Sequence, residues 1–206
     1  MDKTVTRSES LKAWVADDGD NTLAIDYQLT DDSVVFDVGG FYGHWTKALL
    51  EKISPVKPRV FVFEPVERFY DALAYLFRDE KKVLVIGEAL SDKGGVAMIS
   101  DDEEGSSMHL AMADTSINTV EVGDFLLTYD LTKVDLISIN IEGHEFPLLK
   151  RMLEVGAEKF ENLQVQFHAF YPDAGRLREE LRKELAKTHV ETYCYPFVWE
   201  SWRKKS

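Results

Sequence analysis

Val34-Val35-Phe36-Asp37-Val38-Gly39-Gly40-Phe41-Tyr42-Gly43 is an apolar run that ends in a carboxylate and a glycine-rich turn, and Thr46 to Leu50 continues it with helical periodicity. A buried strand, a tight turn and a helix in that order open a doubly wound sheet, where small ligands sit beyond the strand carboxyl ends. A second apolar run, Arg59 to Phe63, stops at Glu64-Pro65, 21 residues after Gly43. That interval is close to the roughly 20 residues expected of an acid that accepts hydrogen bonds from a ribose.

Outward from this pair the alternation continues. We expect a strand at 34 to 38, a helix at 44 to 53, a strand at 59 to 64 and a helix at 66 to 79, with Phe69, Leu73, Leu76 and Phe77 on one face. A strand at 82 to 87 follows, and Ser91-Asp92-Lys93-Gly94-Gly95 turns the chain into a hairpin strand at 96 to 100. Asp101 to Gly105 reads as an acidic loop, 107 to 112 as a second extended piece and 123 to 129 as a short helix. The strand Val134 to Ile141, the helix Glu145 to Val155, a strand at 162 to 168, a helix at 173 to 187 and late strands at 190 to 195 and 197 to 201 complete the order. This is the pattern of an α/β, Rossmann-like, mostly parallel sheet of about seven strands with an antiparallel late strand. At 206 residues one domain is expected over 1 to 206, a helical or irregular segment at 1 to 30 preceding the core at 31 to 206.

The glycines decide the ligand class. Gly39 and Gly43 are four apart, so the loop does not match the G-x-G-x-x-G spacing that admits a pyrophosphate, and a dehydrogenase or nucleotide-sugar domain is disfavoured. Asp37, two residues before the first glycine, favours a cation over a phosphate. S-adenosylmethionine fits, with an ammonium, a sulfonium, no phosphate and a ribose for Glu64. The competing reading is a tight strand-to-helix turn of some other α/β protein, which the acid at Glu64 makes the weaker of the two.

Composition narrows the partners. Twenty-four basic against 37 acidic side chains give a net charge of −13, which argues against nucleic acid, whose phosphates need clustered Lys and Arg. Cys194 is the single cysteine, so no intrachain disulfide forms, and Met1 to Glu9 is polar where a signal peptide is apolar. A cytoplasmic setting is expected. No apolar stretch approaches the roughly 20 residues that cross a bilayer, so no membrane insertion is expected.

Asp135-Leu136-Ile137-Ser138-Ile139-Asn140-Ile141-Glu142-Gly143-His144-Glu145 is a buried strand whose carboxyl end turns abruptly polar, where this architecture places its ligands. Here the chain resembles the FkbM family of S-adenosylmethionine-dependent methyltransferases, whose later motif reads approximately Asp-Leu-(Leu/Ile)-Lys-Ile-Asp-(Val/Ile)-Glu-Gly-x-Glu. Asp37-Val38-Gly39 to Gly43 matches its glycine loop, Phe63-Glu64-Pro65 its ribose segment and Glu88-Ala89-Leu90-Ser91 its adenine segment, together spanning 34 to 168. The tail from Tyr195 to Trp202 looks like the ending of small members associated with glycan synthesis. The resemblance implies a class I methyltransferase fold, cofactor contacts at Asp37, Gly39, Gly43, Glu64, Pro65, Glu88, Ala89, Leu90 and Asn140, and methyl transfer to a sugar hydroxyl of a glycan or glycoside. The family Lys is Ser138 here, the family Asp is Asn140, and Gly40-Phe41 stands where Ala-Asn is common. Ser138 and Asn140 favour an alternative, a cofactor-binding module without catalysis in a larger glycan-synthesis protein, with glycosyltransferase domains as neighbours.

Methyl transfer to an alcohol is an in-line displacement, so the protein must align oxygen, carbon and sulfur and take up the hydroxyl proton. Candidates for the base are Glu142, His144, Glu145 and His168. His168 ranks first, because it closes the strand at 162 to 168 and an unperturbed imidazole, with its pKa near 6.5, accepts protons at neutral pH. Asn140 orients a hydroxyl or the cofactor ammonium through its carbonyl oxygen. Glu145 reads better as a first-turn helix residue stabilised by the dipole. Asn140, Glu142 and Glu145 are a thin set for a divalent metal, so none is assigned, and the run Asp101 to Glu104 reads as solvated surface. Trp199 and Trp202 either stack on sugar faces or seal the sheet, with core the better reading; Trp45 either covers the cofactor or packs beneath the helix. Cys194 reads as a buried small hydrophobe.

Overall fold

The computed structural model describes residues 6–102, 105–107 and 115–206, and side chains at 6–99 and 115–206. In chain order its elements are α1 (Arg7–Ala16), β1 (Val34–Val38), α2 (His44–Ile53), β2 (Arg59–Phe63), α3 (Glu67–Leu76), β3 (Val83–Ile86) and β4 (Ala89–Ser91). There follow β5 (Gly95–Asp102), β6 (Gly105–Ser107), β7 (Thr115–Glu121), α4 (Val122–Thr128), β8 (Leu136–Ile139), α5 (Glu145–Gly156), β9 (Asn162–Val165), α6 (Ala174–Thr188), β10 (His189–Tyr195) and β11 (Trp199–Lys204).

Seven strands form one sheet in the order β10-β11-β9-β8-β1-β2-β3. β1, β2, β3, β8 and β9 are parallel, and β11 runs antiparallel beside β9. Both faces are covered, which is why these strands read as continuous apolar runs. On one face Phe36, Val38, Phe61, Phe63, Ile137 and Ile139 meet Phe125 of α4 and Phe146, Leu149 and Met152 of α5. On the other, Val35, Val60, Val62 and Leu136 meet Leu49 of α2, Leu73 of α3 and Trp14 of α1. Thr6 caps α1 reciprocally with Glu9, and Trp14 lies 5.1 Å from the Tyr195 ring, so the first helix is tied to the late strands. β1 has β2 on one side and β8 on the other, the switch point at which a crevice opens beyond the strand ends.

A smaller sheet, β4-β7-β5-β6, lies at the carboxyl end of β3. It differs from the sequence expectation. The hairpin strand runs through Asp102, so Asp101 and Asp102 are strand rather than acidic loop. β7 is a strand that the pattern around 115 to 121 did not suggest, because its alternation of polar and apolar residues is modest and its partners are distant in sequence. Of the extended piece expected at 107 to 112, Ser107 ends β6 and the rest lies outside the described residues. The strand expected at 162 to 168 stops at Val165, so His168 stands in the loop beyond it. Trp202 is buried in the core, and Trp45 donates its indole N–H to Ala24 O, so these rings pack the sheet. Cys194 is half-buried and faces the Arg178 and Arg182 guanidiniums, not an apolar neighbourhood. Among the described residues no helix is long and apolar enough to cross a membrane.

Candidate functional site

A cavity of about 250 Å³ opens beyond the ends of β1, β2 and β8. Gly39 and Phe41 contribute from the first turn, Glu64 and Pro65 from the end of β2, and Asn140, Ile141 and Glu142 from the end of β8. Its apolar wall is Val66, Phe69, Leu90, Ile99 and Ile117, the last three supplied by the small sheet. The lining holds two carboxylates, Glu64 and Glu142, and no Lys or Arg among the described residues. Such a cleft repels phosphate and suits a ligand with an apolar end and a positive end.

The first turn is built for close approach. Gly39 sits at φ +92, and a Cβ added there would lie 2.1 Å from Asn140 O. The amides of Gly39 and Gly40 donate to Phe63 O at 3.0 and 3.1 Å, which ties the turn to the end of β2. Gly39→Ala is therefore expected to cost about 3 kcal/mol or more, from left-handed strain plus a backbone clash, read as a fall in the urea unfolding midpoint. Unaltered stability would show that the turn relaxes freely.

Glu64 is buried yet lines the cavity. Its carboxylate accepts from Phe41 N at 2.9 Å and Val66 N at 3.0 Å, which fixes its orientation before any ligand arrives. An ionised carboxylate has about four acceptor positions. Phe41 itself is held at φ +48, an uncommon conformation for a non-glycine residue, and its ring packs 4.5 Å from Phe69.

Three of the residues expected to touch the cofactor do not line the cavity. Gly43, at φ +79, starts α2, and a Cβ there would meet Leu76 and Leu73 at 2.8 and 2.9 Å, so it serves the packing of α2 against α3. Glu88 is half-buried outside the lining, whereas its neighbours Ala89 and Leu90 belong to it. Asp37 turns away, and its buried carboxylate accepts from Thr46 Oγ1 at 2.5 Å.

Burial pushes the Asp37 carboxyl up to about 7, with the Thr46 hydrogen bond opposing and the nearby Glu64 charge adding to the rise. The folded protein thus keeps a proton that the unfolded chain releases near 3.8, so stability declines as pH climbs from about 4 to 7. Asp37→Asn, which still accepts from Thr46, is expected to gain up to about 4 kcal/mol over wild type between those limits, measured by urea unfolding at both. A constant difference between variant and wild type across that range counts against an ionising, solvent-starved Asp37.

At the other end, Glu142 has φ +47 and Gly143 φ +99, so the chain kinks sharply after β8. His168 Nε2 lies 3.3 Å from Glu142 Oε2, and Nδ1 lies 3.2 Å from Glu145 Oε1. Burial alone would lower the imidazole, but hydrogen bonds and charge from both carboxylates raise it to about 9. This corrects the expectation of a free base, because at neutral pH His168 holds a proton instead of accepting one. The ion pairs contribute stability on the order of 3 kcal/mol that is complete below about 6.5 and disappears as pH rises through about 9. Glu145 stands in the first turn of α5 as expected, behind His144 as the cap, and its fully buried carboxylate also reaches His168. His144 Nε2 pairs with Ser91 Oγ at 2.8 Å and Asp92 Oδ1 at 3.2 Å, which fastens α5 to the small sheet.

Among the described residues, the acid and thiol group spaced for a metal is Glu191, Cys194 and Glu200. Arg182 pairs with both glutamates, and Arg178 with Glu200, so cations of the chain already occupy it. The walls Phe69, Ile99, Ile117 and Ile141 went unread in the sequence, since a cleft wall and a core residue carry the same apolar signature.

A parallel sheet with its crevice at the β1 switch point, an acid at the end of β2 and, among the described residues, no Lys or Arg in the lining defines a class I methyltransferase architecture. The Methyltransferase FkbM domain model matches residues 37–188, and the chain belongs to that family. No curated protein matches the chain. Among solved structures, a Methyltransferase FkbM from Methylobacillus flagellatus KT is similar with TM-score 0.59 at 14% identity, covering 87% of this chain and 45% of that one. This chain thus spans less than half of that protein's length. A putative rRNA-methylase from Clostridium thermocellum also gives TM-score 0.59, at 12% identity, covering 93% and 96% of the two chains. The S-adenosylhomocysteine-bound methyltransferase PaMTH1 of Podospora anserina gives 0.51 at 11% identity, covering 84% and 72%. At these identities the likeness is one of fold.

Proposed function

We propose that this domain transfers a methyl group from S-adenosylmethionine to a hydroxyl of a sugar in a glycan or glycoside. The observation that carries the cofactor is the cleft itself, with a pre-oriented carboxylate at Glu64, a second at Glu142 and no basic lining residue among those described. Glu64 would hold the ribose hydroxyls, with Pro65, Val66, Phe69, Ala89, Leu90, Ile99 and Ile117 around the adenine. Gly39 and Asn140 would hold the cationic amino-acid end. When bound, the cofactor supplies an electrophilic methyl on a sulfonium. The Asn140 side chain, exposed at the end of β8, orients the acceptor hydroxyl, and Glu142 takes its proton. His168 keeps Glu142 in place.

The acceptor assignment rests on the family resemblance of the motifs and tail. Net charge of −13 supports an acceptor other than nucleic acid, and the single cysteine supports a cytoplasmic setting. Incubation with methyl-labelled cofactor and a panel of unmethylated glycans, alongside a structured RNA, tests it. Label on glycan alone is expected; label on RNA alone overturns the acceptor. A second reading, a binding module without catalysis within a glycan-synthesis assembly, draws on Asn140 standing where the resemblance expects a carboxylate. It predicts cofactor binding with no label on any acceptor.

A further inference from the structure

Glu145 has no exposed surface, yet its carboxylate does not end at its own helix. Oε2 accepts from Gly143 N at 2.8 Å, and Oε1 accepts from His168 N at 2.6 Å and faces His168 Nδ1 at 3.2 Å. One side chain thereby joins the loop after β8 to the loop after β9. His168 passes the connection on, because its second nitrogen faces Glu142 Oε2 at 3.3 Å, and Glu142 lines the cleft. Carboxylate oxygens only accept, so an imidazole wedged between two of them carries a proton on each nitrogen. We propose that Glu145 is the positioning residue of the reacting end, clamping His168 and, through it, the Glu142 carboxylate in the cleft. The assignment rests on the methyl-transfer reading for its catalytic meaning and on geometry alone for its structural meaning.

Two physical consequences follow from the arrangement. Glu142 and Gly143 both have positive φ, and the Glu145 bond to Gly143 N holds that kink from the α5 side. Among the described residues, the charged groups that face the imidazole are Glu142 from the loop after β8 and Glu145 from α5, while its own loop presents the Phe170 ring at 5.4 Å. With two anions around one cation, removing the buried anion weakens the hold on the proton most, because the buried partner is least screened by water.

The test is an NMR titration of the His168 ring in wild type and Glu145→Gln, paired with turnover against pH. In wild type the imidazole is expected to stay doubly protonated at pH 7.5 and to titrate near about 9. In Glu145→Gln the midpoint is expected below about 8, the alkaline limb of turnover shifts down with it, and S-adenosylhomocysteine affinity stays within about threefold. Coincident titrations and coincident limbs in the two proteins overturn the clamp. Should the variant not fold, the wild-type titration decides alone, because a midpoint near 6.5 means that His168 is not held between two anions. The titration needs neither cofactor nor acceptor, so failure of methyl transfer and failure of the clamp are separate results.

Discussion

Glu64→Ala is expected to weaken S-adenosylhomocysteine binding by about 100-fold or more in calorimetry. Hydrogen bonds to a charged acceptor contribute roughly 1.5 to 3 kcal/mol each, a ribose diol offers two, and each 1.4 kcal/mol is tenfold in affinity. The same carboxylate anchors Phe41 N and Val66 N, so its loss also frees the turn that borders the cavity. Glu64→Gln separates the two effects. It keeps an oxygen to accept while losing the charge, and the expected loss is nearer tenfold. Wild-type affinity in Glu64→Ala removes the ribose role, and with it the strongest support for this cofactor in this cleft.

Turnover of Glu142→Gln is expected to fall on the order of 100-fold or more while S-adenosylhomocysteine affinity changes by less than about tenfold. The amide preserves shape but accepts no proton at neutral pH. Glu142 suits the role better than His168 because it lines the cleft, whereas the imidazole lies behind it with both nitrogens turned to carboxylates. Single-turnover kinetics with saturating cofactor separate chemistry from binding. A variant with wild-type turnover leaves alignment of the hydroxyl, and not proton uptake, as the source of the rate.

Much of the site was visible as punctuation in the strands. Asp37-Val38-Gly39, Phe63-Glu64-Pro65 and Ile139-Asn140-Ile141-Glu142 each show an apolar run ending in polar or small residues, and in a parallel sheet those endings fall at one edge. Gly39, Glu64, Pro65, Ala89, Leu90, Asn140 and Glu142 do meet there. Asp37 and Gly43 belonged to the same motif yet look elsewhere, since alternation along β1 sends Asp37 to the α2 side and the helix start sends Gly43 against α3. The small sheet was only half legible. Its β5 and β7 are not consecutive, β6 standing between them in the chain, and pairing between segments apart in sequence leaves little local trace.

The sequence by itself determined the parallel sheet, the order of its strands along the chain and the edge at which the cavity opens, because buried strands, helical periodicity and turn residues are local signals. Which carboxylate faces the cleft, and in what protonation state its neighbours stand, was decided only by the tertiary structure. His168 reads as an ordinary imidazole until two acids, 26 and 23 residues earlier in the chain, close on its two nitrogens. Charge state depends on burial and on neighbours in space, and folding brings those together from elements the chain keeps apart.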